Sequence, residues 1–348
     1  MELAVTLTLA EALAARPNDH RSLRADFEKA SGLSWHAPTP AALAAGHALS
    51  VVVPARNTAH SMRPVLDALA TQNTHGSVEI IVVDDASTDS TADIAEAHPA
   101  VDMLIRLRDP GGAATARNVG TALASAGTIV YLDADMVIGP HVLADMAARS
   151  RPDTVLLGFR HNVRYTPGLD GSAQIPTRSP DLAADHRVTW RSNGGKQLYT
   201  GVVLDGPTTG RPLDETDDFQ KLGHGVTYLD WDLPRTVVTA LLAVPREKVV
   251  NVGGFDPTFG RIGWGMEDTH LGAALIASGC LVVPLRQCVG FHLDPPDADA
   301  QWETKLAGWP NTLAYYRMLL DGPVPSGRAG AFHAHTEQLL ADAEVITR

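Results

Sequence analysis

The chain has 348 residues and a mass of 37.0 kDa, room for one large α/β domain with an elaborated end or for two domain-sized units. Its 28 Lys and Arg against 40 Asp and Glu give a formal net charge of −12, which excludes the basic stripe that binds a nucleic-acid backbone. A hydrophobic fraction of 45% excludes a disordered chain, and no apolar run approaches the ~20 residues of a membrane-spanning helix.

The first residues carry no basic start, and Glu2 and Glu11 interrupt their apolar stretch, so no signal peptide is expected and the expected location is cytoplasmic. Cys280 and Cys288 lack the spacing of a disulfide framework or a metal knuckle and read as small buried hydrophobes. Residues 1–46 are alanine-rich, with helical character over Thr8–Ala15 and Ser22–Ala30, and read as an N-terminal helical extension. From Leu49 strands and helices alternate. Strands are predicted over Leu49–Val53, Glu79–Val83, Val101–Leu107, Thr128–Leu132 and Thr154–Phe159. Helices are predicted over Met62–Thr71, Thr91–Ala97, Ala113–Ala126 and Pro140–Arg149. That rhythm predicts a parallel α/β sheet with helices on both faces.

Residues 160–235 are rich in Gly, Pro, Asp and Thr and show no period, which in a compact protein marks a functional segment. Regular pattern returns as a strand over Val237–Val244, a helix over Glu267–Ser278, a strand over Leu281–Leu285 and a helix over Gln301–Leu320. The last ~25 residues read as one helix with a frayed end. The chain thus divides into the extension (1–46), a first α/β half (47–159), an insert (160–235), a second half (236–300) and a C-terminal helical segment (301–348).

In open parallel sheets, ligands sit beyond the carboxyl ends of the strands. Three motifs fall there: Pro54-Ala55-Arg56-Asn57, Asp84-Asp85 with the Ala86–Asp89 turn, and Asp133-Ala134-Asp135. Each alone could do no more than cap the next helix. The i, i+2 spacing of Asp133 and Asp135 lets both carboxylates turn toward one point, where they repel unless one is protonated or a cation lies between them. A hard divalent ion that also grips a diphosphate, Mn²⁺ or Mg²⁺, satisfies that requirement. No Walker loop is present and no GxGxxG follows the first strand, which disfavours P-loop and dinucleotide readings.

The segments SVVVPARN, EIIVVDDASTDST, GGAATARNVG and IVYLDADM together resemble the nucleotide-binding half of a GT-A fold glycosyltransferase of the family-2 type. The resemblance implies a Rossmann-like nucleotide-diphospho-sugar transferase sheet. It implies that Asp85 reads the nucleobase edge with support from Asp84, that Asp133 faces the ribose and metal, that Asp135 ligates the metal, and that Arg117 helps fix the donor. Pro54, Arg56, Asn57 and Ala134 fall on the donor side of the same pattern. Farther on, Asn251–Asp256 and Gly263-Trp264-Gly265-Met266-Glu267-Asp268 resemble the acceptor signature of galactosyltransferases and chondroitin polymerases. That likeness implies Asp268 as general base, Glu267 as its support on the acceptor side, Trp264 packing on sugar, and His292 completing the metal shell.

The implied function is metal-dependent transfer from a nucleotide sugar donor, UDP-linked, to a hydroxyl of a small-molecule acceptor, by direct displacement with inversion. No nucleic-acid or membrane partner is expected. A retaining transferase making a glycerate-type glycoside, a sugar-1-phosphate nucleotidyltransferase and a non-catalytic sugar-nucleotide-binding module remain alternatives. The insert is expected to supply an acceptor loop that closes over the donor, with Tyr165, Trp190 and Tyr199 as its sugar-facing aromatics.

Overall fold

A computed structural model describes residues 7–189, 217–222 and 232–348; Trp190 and Tyr199 lie outside the described residues. The N-terminal part opens with α1 (Leu9–Ala15), started by a capping box in which the Thr8 hydroxyl accepts the Glu11 N–H and the Glu11 carboxylate accepts the Thr8 N–H. Next comes α2 (Arg21–Ser31), which ends at Gly32 in the left-handed region. The alternating body then runs β1 (Leu49–Ala55), α3 (Ala59–Ala70), β2 (Val78–Asp84), α4 (Thr91–Ala97), β3 (Met103–Arg106), α5 (Ala113–Leu123) and β4 (Thr128–Leu132). It continues with β5 (Met136–Ile138), α6 (Val142–Arg149), β6 (Thr154–Val163), α7 (His186–Thr189) and α8 (Asp217–Lys221). The second half holds β7 (Leu241–Pro245), α9 (Arg246–Val252), α10 (Thr258–Ile262), α11 (Glu267–Ala277), β8 (Leu281–Leu293), α12 (Ala298–Leu320), α13 (Ala329–Ala341) and β9 (Glu344–Thr347).

All the described strands join one nine-stranded sheet in the order β5-β8-β6-β7-β4-β1-β2-β3-β9. Side chains alternate between its faces at the strand period of two. Val52, Ile81, Val83, Ile129 and Tyr131 enter the core beneath α5, α9 and α11. Val51, Val53, Ile80, Val82, Val130 and Leu132 enter the core beneath α3 and α6. Gly120 lets α5 lie directly on β1, because a Cβ there would stand 2.4 Å from Val52.

The sheet is mixed, where the sequence predicted a parallel one. Strands β1, β2, β3 and β4 are parallel, whereas β7 enters antiparallel between β4 and β6, and β5 pairs antiparallel with β8. Strand direction depends on the route of the preceding connection, which periodicity does not encode. The chain end also differs from the single frayed helix expected. After α13, Glu344–Thr347 pairs antiparallel with β3, so the β-branched pair Val345-Ile346 closes an exposed edge. No described helix is long and apolar enough to cross a membrane.

The N-terminal extension packs on the sheet domain through Leu9 and Leu13 in the core and through a buried cation. Arg149, fully buried on α6, donates to the carbonyls of Trp35 and Ala37 and to the Asp145 carboxylate, and lies 4.3 Å above the Phe27 ring centroid. Asp145 in turn accepts the Thr39 N–H at 2.7 Å. Arg149→Ala removes these bonds and leaves the buried Asp145 with only His141, at 2.7 Å, and the Thr39 N–H as close polar partners, so a loss of ~3–5 kcal/mol is expected. Urea unfolding checks this: the midpoint should fall, and an unchanged midpoint would show that the clip contributes nothing.

Candidate active site

A cleft of about 1070 Å³ opens at the carboxyl ends of β1, β2, β4, β6 and β8. Its floor comes from turns that the sequence forces into uncommon backbone. Asn57, Ala86 and Met266 are the non-glycine residues with positive φ among those described, at 52°, 55° and 73°, and each belongs to a loop bordering the cleft. Such conformations persist where neighbours over-determine them. The Asn57 side-chain carbonyl accepts the Thr88 N–H at 2.8 Å and its own N–H reaches Ser87 Oγ at 2.9 Å, locking the loop after β1 to the loop after β2.

Pro54, Arg56, Asn57 and Asp85 line one wall of the cleft, while Asp84 is buried behind it and accepts the Ser87 N–H. Both Asp85 oxygens accept backbone N–H groups, from Gly111 at 2.6 Å and Gly112 at 2.9 Å, which fixes the start of α5. Arg56 lies 3.8 Å from the same carboxylate. Arg117, on α5, is 5% exposed and bridges two acids from distant parts of the chain: Asp133 at 2.9 Å and Glu267 at 3.5 Å. Burial opposes its charge, but Asp133 and Glu267 outweigh burial and hold its pKa above the ordinary arginine value.

Asp133, Asp135 and His292 bring one ligand atom each within 4.8 Å of one another. The β5–β8 pairing causes this, since it sets Met136 opposite His292 and lets the Leu293 N–H donate to the Asp135 carbonyl at 2.9 Å. His292 Nε2 stands 3.4 Å from Asp135 Oδ1, and Asp135 Oδ1 and His292 Nδ1 are buried without a hydrogen-bond partner. Burial, with Arg160 nearby, pushes the His292 pKa down to about 4, so the imidazole is neutral and its nitrogen lone pair is free to ligate. Burial and the adjacent Asp133 push Asp135 up to about 7. Two carboxylates, one neutral imidazole and orphaned buried ligand atoms fit a divalent cation of the Mn²⁺ or Mg²⁺ kind.

The raised Asp135 pKa carries a stability consequence. Between an unfolded value near 3.8 and about 7, the folded chain binds the proton that the unfolded chain has lost, so this group's stabilisation falls as pH rises. Asp135→Asn cannot ionise. In chelator it should therefore gain ~1–2 kcal/mol on the wild type between about pH 4 and about pH 7. Asp135 raises the His60 pKa, so His60 is replaced by Gln in both proteins to keep its titration out of the difference. Paired urea midpoints that stay parallel over this range would contradict the burial of Asp135.

On the opposite wall, α11 follows Met266, its N-cap, and presents Glu267 and Asp268 in its first turn. Burial is the largest cause raising both carboxyl pKa values, and for Glu267 the neighbouring Asp268 adds to it. Ala134, Arg117, Trp264, Glu267, Asp268 and the acidic–histidine cluster all line the one cleft, so the structure brings the motifs of the first and second halves together. Tyr165 lines it as well, and its ring meets His60 edge-on at 6.0 Å.

Trp264 sits in an aromatic group. Its ring lies 5.4 Å from Trp302, edge-on, and 5.9 Å from Trp309, and the Lys305 ammonium is 5.5 Å above it. Gly265, at φ 82°, makes room for Trp309, since a Cβ there would stand 2.7 Å from that indole. Sequence reasoning missed Trp302, Lys305 and Trp309, though their i, i+3, i+7 spacing on one helix face was a readable signal. It also missed His60 and Arg160, which no local pattern marks; both line the cleft.

Comparison with known proteins follows the same division of the chain. Residues 50–198 match the family model of glycosyl transferase family 2, and residues 220–290 match that of the N-terminal domain of galactosyltransferase. Validoxylamine A glucosyltransferase of Streptomyces hygroscopicus subsp. limoneus is 30% identical over 274 residues, covering 74% of this chain and 54% of that protein. Chondroitin synthase of Pasteurella multocida (strain Pm70) is 25% identical over 259 residues, 71% of this chain and 25% of that one. The chain therefore spans about half the length, or less, of these relatives. Among solved structures, a mannosyltransferase from Pyrobaculum calidifontis in complex with GDP-Man and Mn²⁺ superposes with a TM-score of 0.52 at 21% identity, covering 96% of this chain and 81% of that chain. This last likeness shows the fold.

Proposed function

The chain belongs to the family-2-like glycosyltransferases of GT-A fold, and on that premise we propose that it moves a sugar from a nucleotide diphosphate sugar to a hydroxyl of a small-molecule acceptor. The observation that carries the reading is the joining, across one cleft, of the Asp133–Asp135–His292 cluster to Glu267 and Asp268 through Arg117. We assign the donor as UDP-linked. The validoxylamine A glucosyltransferase relatives support a small acceptor, and residues 160–235 are proposed to contribute to its binding.

Asp133, Asp135 and His292 would hold a divalent ion, Mn²⁺ or Mg²⁺, which supplies positive charge against the diphosphate oxygens. Asp85 and Arg56 flank the place of the nucleobase, and the Gly111-Gly112 turn that Asp85 fixes opens α5 beside it. Arg117 holds Asp133 and Glu267 at a set separation, so the donor and acceptor walls keep register. Asp268 takes the proton of the attacking hydroxyl, and Glu267 orients the acceptor. A base on the face opposite the leaving group makes the displacement direct and inverting.

A transfer assay tests the proposal: a panel of nucleotide sugars with Mn²⁺ is offered with amino- and hydroxy-cyclitol acceptors, and products are read by NMR. A new glycosidic bond of inverted configuration is expected. Hydrolysis or transfer absent from every combination, with no nucleotide binding, would overturn it.

A further inference from the structure

We propose that Asn118 is a positioning residue for the transfer: its amide clips residues 253–256 onto α5 and so seats the Phe255 ring under Arg117, the guanidinium that spans Asp133 and Glu267. This rests on the function proposed above, in which Arg117 keeps the two walls in register. Asn118 is 2% exposed and follows Arg117 on α5. Its Nδ2 donates to the Phe255 carbonyl at 2.7 Å, and its Oδ1 accepts the Phe255 N–H at 2.8 Å. Phe255 lies between α9 and α10 and is 1% exposed, so its buried backbone groups have no helix or strand partner and the amide supplies both bonds. An asparagine suits this place because its amide offers a donor and an acceptor side by side. Gly254, at φ 72°, makes the approach possible, because a Cβ there would stand 2.3 Å from Asn118 Oδ1.

Arg117 is not fixed by its own bonds alone. Its Nε is buried without a hydrogen-bond partner, and its contact with Glu267, at 3.5 Å, is longer than that with Asp133, at 2.9 Å. The guanidinium carbon lies 5.5 Å over the Phe255 ring centroid. The same ring meets Tyr131 edge-on at 5.1 Å, and the Tyr131 hydroxyl stands 2.6 Å from Thr121 Oγ1, one turn beyond Arg117 on α5. Phe255 is thus held through its backbone by Asn118 and through its ring by Tyr131, and Arg117 rests on it. Without the clip, both backbone groups of Phe255 lose these partners and residues 253–256 lift from α5. The guanidinium then gives up Glu267, the longer of its two contacts, first.

Carbon-13 NMR of side-chain carboxyls tests this without a substrate, in Mg²⁺, on protein whose glutamates are labelled at Cδ. The Glu267 signal is assigned by its absence from Glu267→Gln. Burial raises the Glu267 pKa and the Arg117 charge opposes that rise, while Asp268 and Asp133, the other charges acting on it, are common to the proteins compared. In Asn118→Ala the Glu267 titration should move up by about half a pH unit or more. Phe255→Leu, which keeps the backbone that the amide grips and removes the ring, should move it the same way. Arg246→Met is the control, since Arg246 donates to the carbonyls of Thr121 and Ala122 toward the far end of α5. Its loss should lower the urea midpoint and leave the titration where it is. In the transfer assay above, Asn118→Ala should also lower kcat by about 10-fold, a change that Arg246→Met does not share. Asn118→Ser, the smaller cut, takes the place of Asn118→Ala if that variant does not fold. A Glu267 titration unmoved in the Asn118 and Phe255 variants, or moved as far in Arg246→Met, overturns the positioning role. The expected shifts in a protein that transfers from no donor keep the seat and overturn the function it serves.

Discussion

Asp268→Asn should lower turnover by ~10²–10⁴ while leaving donor affinity nearly unchanged. The substitution keeps the shape of the side chain and the hydrogen bond it accepts from the Thr269 N–H at 2.8 Å in the first turn of α11, but removes the capacity to take a proton. Burial raises the Asp268 pKa above the ordinary carboxylate range, with the charge on Arg117 opposing it. Because the reaction needs the ionised form, wild-type turnover should fall as pH drops through that raised value, on a limb lying above the usual carboxylate range. The asparagine variant should lose the limb. Glu267→Gln should act mainly on the acceptor Michaelis constant. Near-native turnover in Asp268→Asn, or a product that keeps the donor's anomeric configuration, would replace the inverting mechanism by the retaining alternative.

Asp135→Ala should abolish the metal-dependent stabilisation of the protein by nucleotide. At ligand concentrations about 100-fold above Kd, binding to the native state adds ~2.7 kcal/mol, a shift easily seen in thermal unfolding. In the wild type that gain should require Mn²⁺ or Mg²⁺, since Asp133 and Asp135 alone repel a diphosphate. The variant loses one of the three ligand groups and keeps the fold, because the Asp135 side chain makes no hydrogen bond that holds β5 to β8; that pairing runs through backbone groups. Metal-enhanced nucleotide binding that survives in Asp135→Ala would remove Asp135 from the metal site.

Local signals made the donor half legible. Short apolar runs ending in Pro54, Asp84 and Asp133 identify buried strands, and the carboxyl edge of such a sheet is where ligands gather. The Asp133–Asp135 spacing called for either a shared proton or a cation, for electrostatic reasons that hold in any fold. The Gly263–Asp268 turn likewise marked a helix start with acids in its first turn. What stayed illegible depended on contacts between residues far apart in sequence. The contact of Arg117 with Glu267, which ties Asp133 to the second half, spans 150 residues, and the antiparallel β5–β8 pairing that sets His292 beside Asp135 left no local signal, only the family resemblance having implied that histidine.

The sequence by itself determined which residue types the chemistry would use and at which strand ends they stand, because those depend on side-chain chemistry and on period-two and period-3.6 patterning. Only the tertiary structure decided strand direction, the closing edge strand β9, and the placing of the Lys305 ammonium over the Trp264 and Trp302 rings. These follow from chain routing and from packing between distant elements, whose energies depend on three-dimensional neighbours and leave no mark on the local pattern.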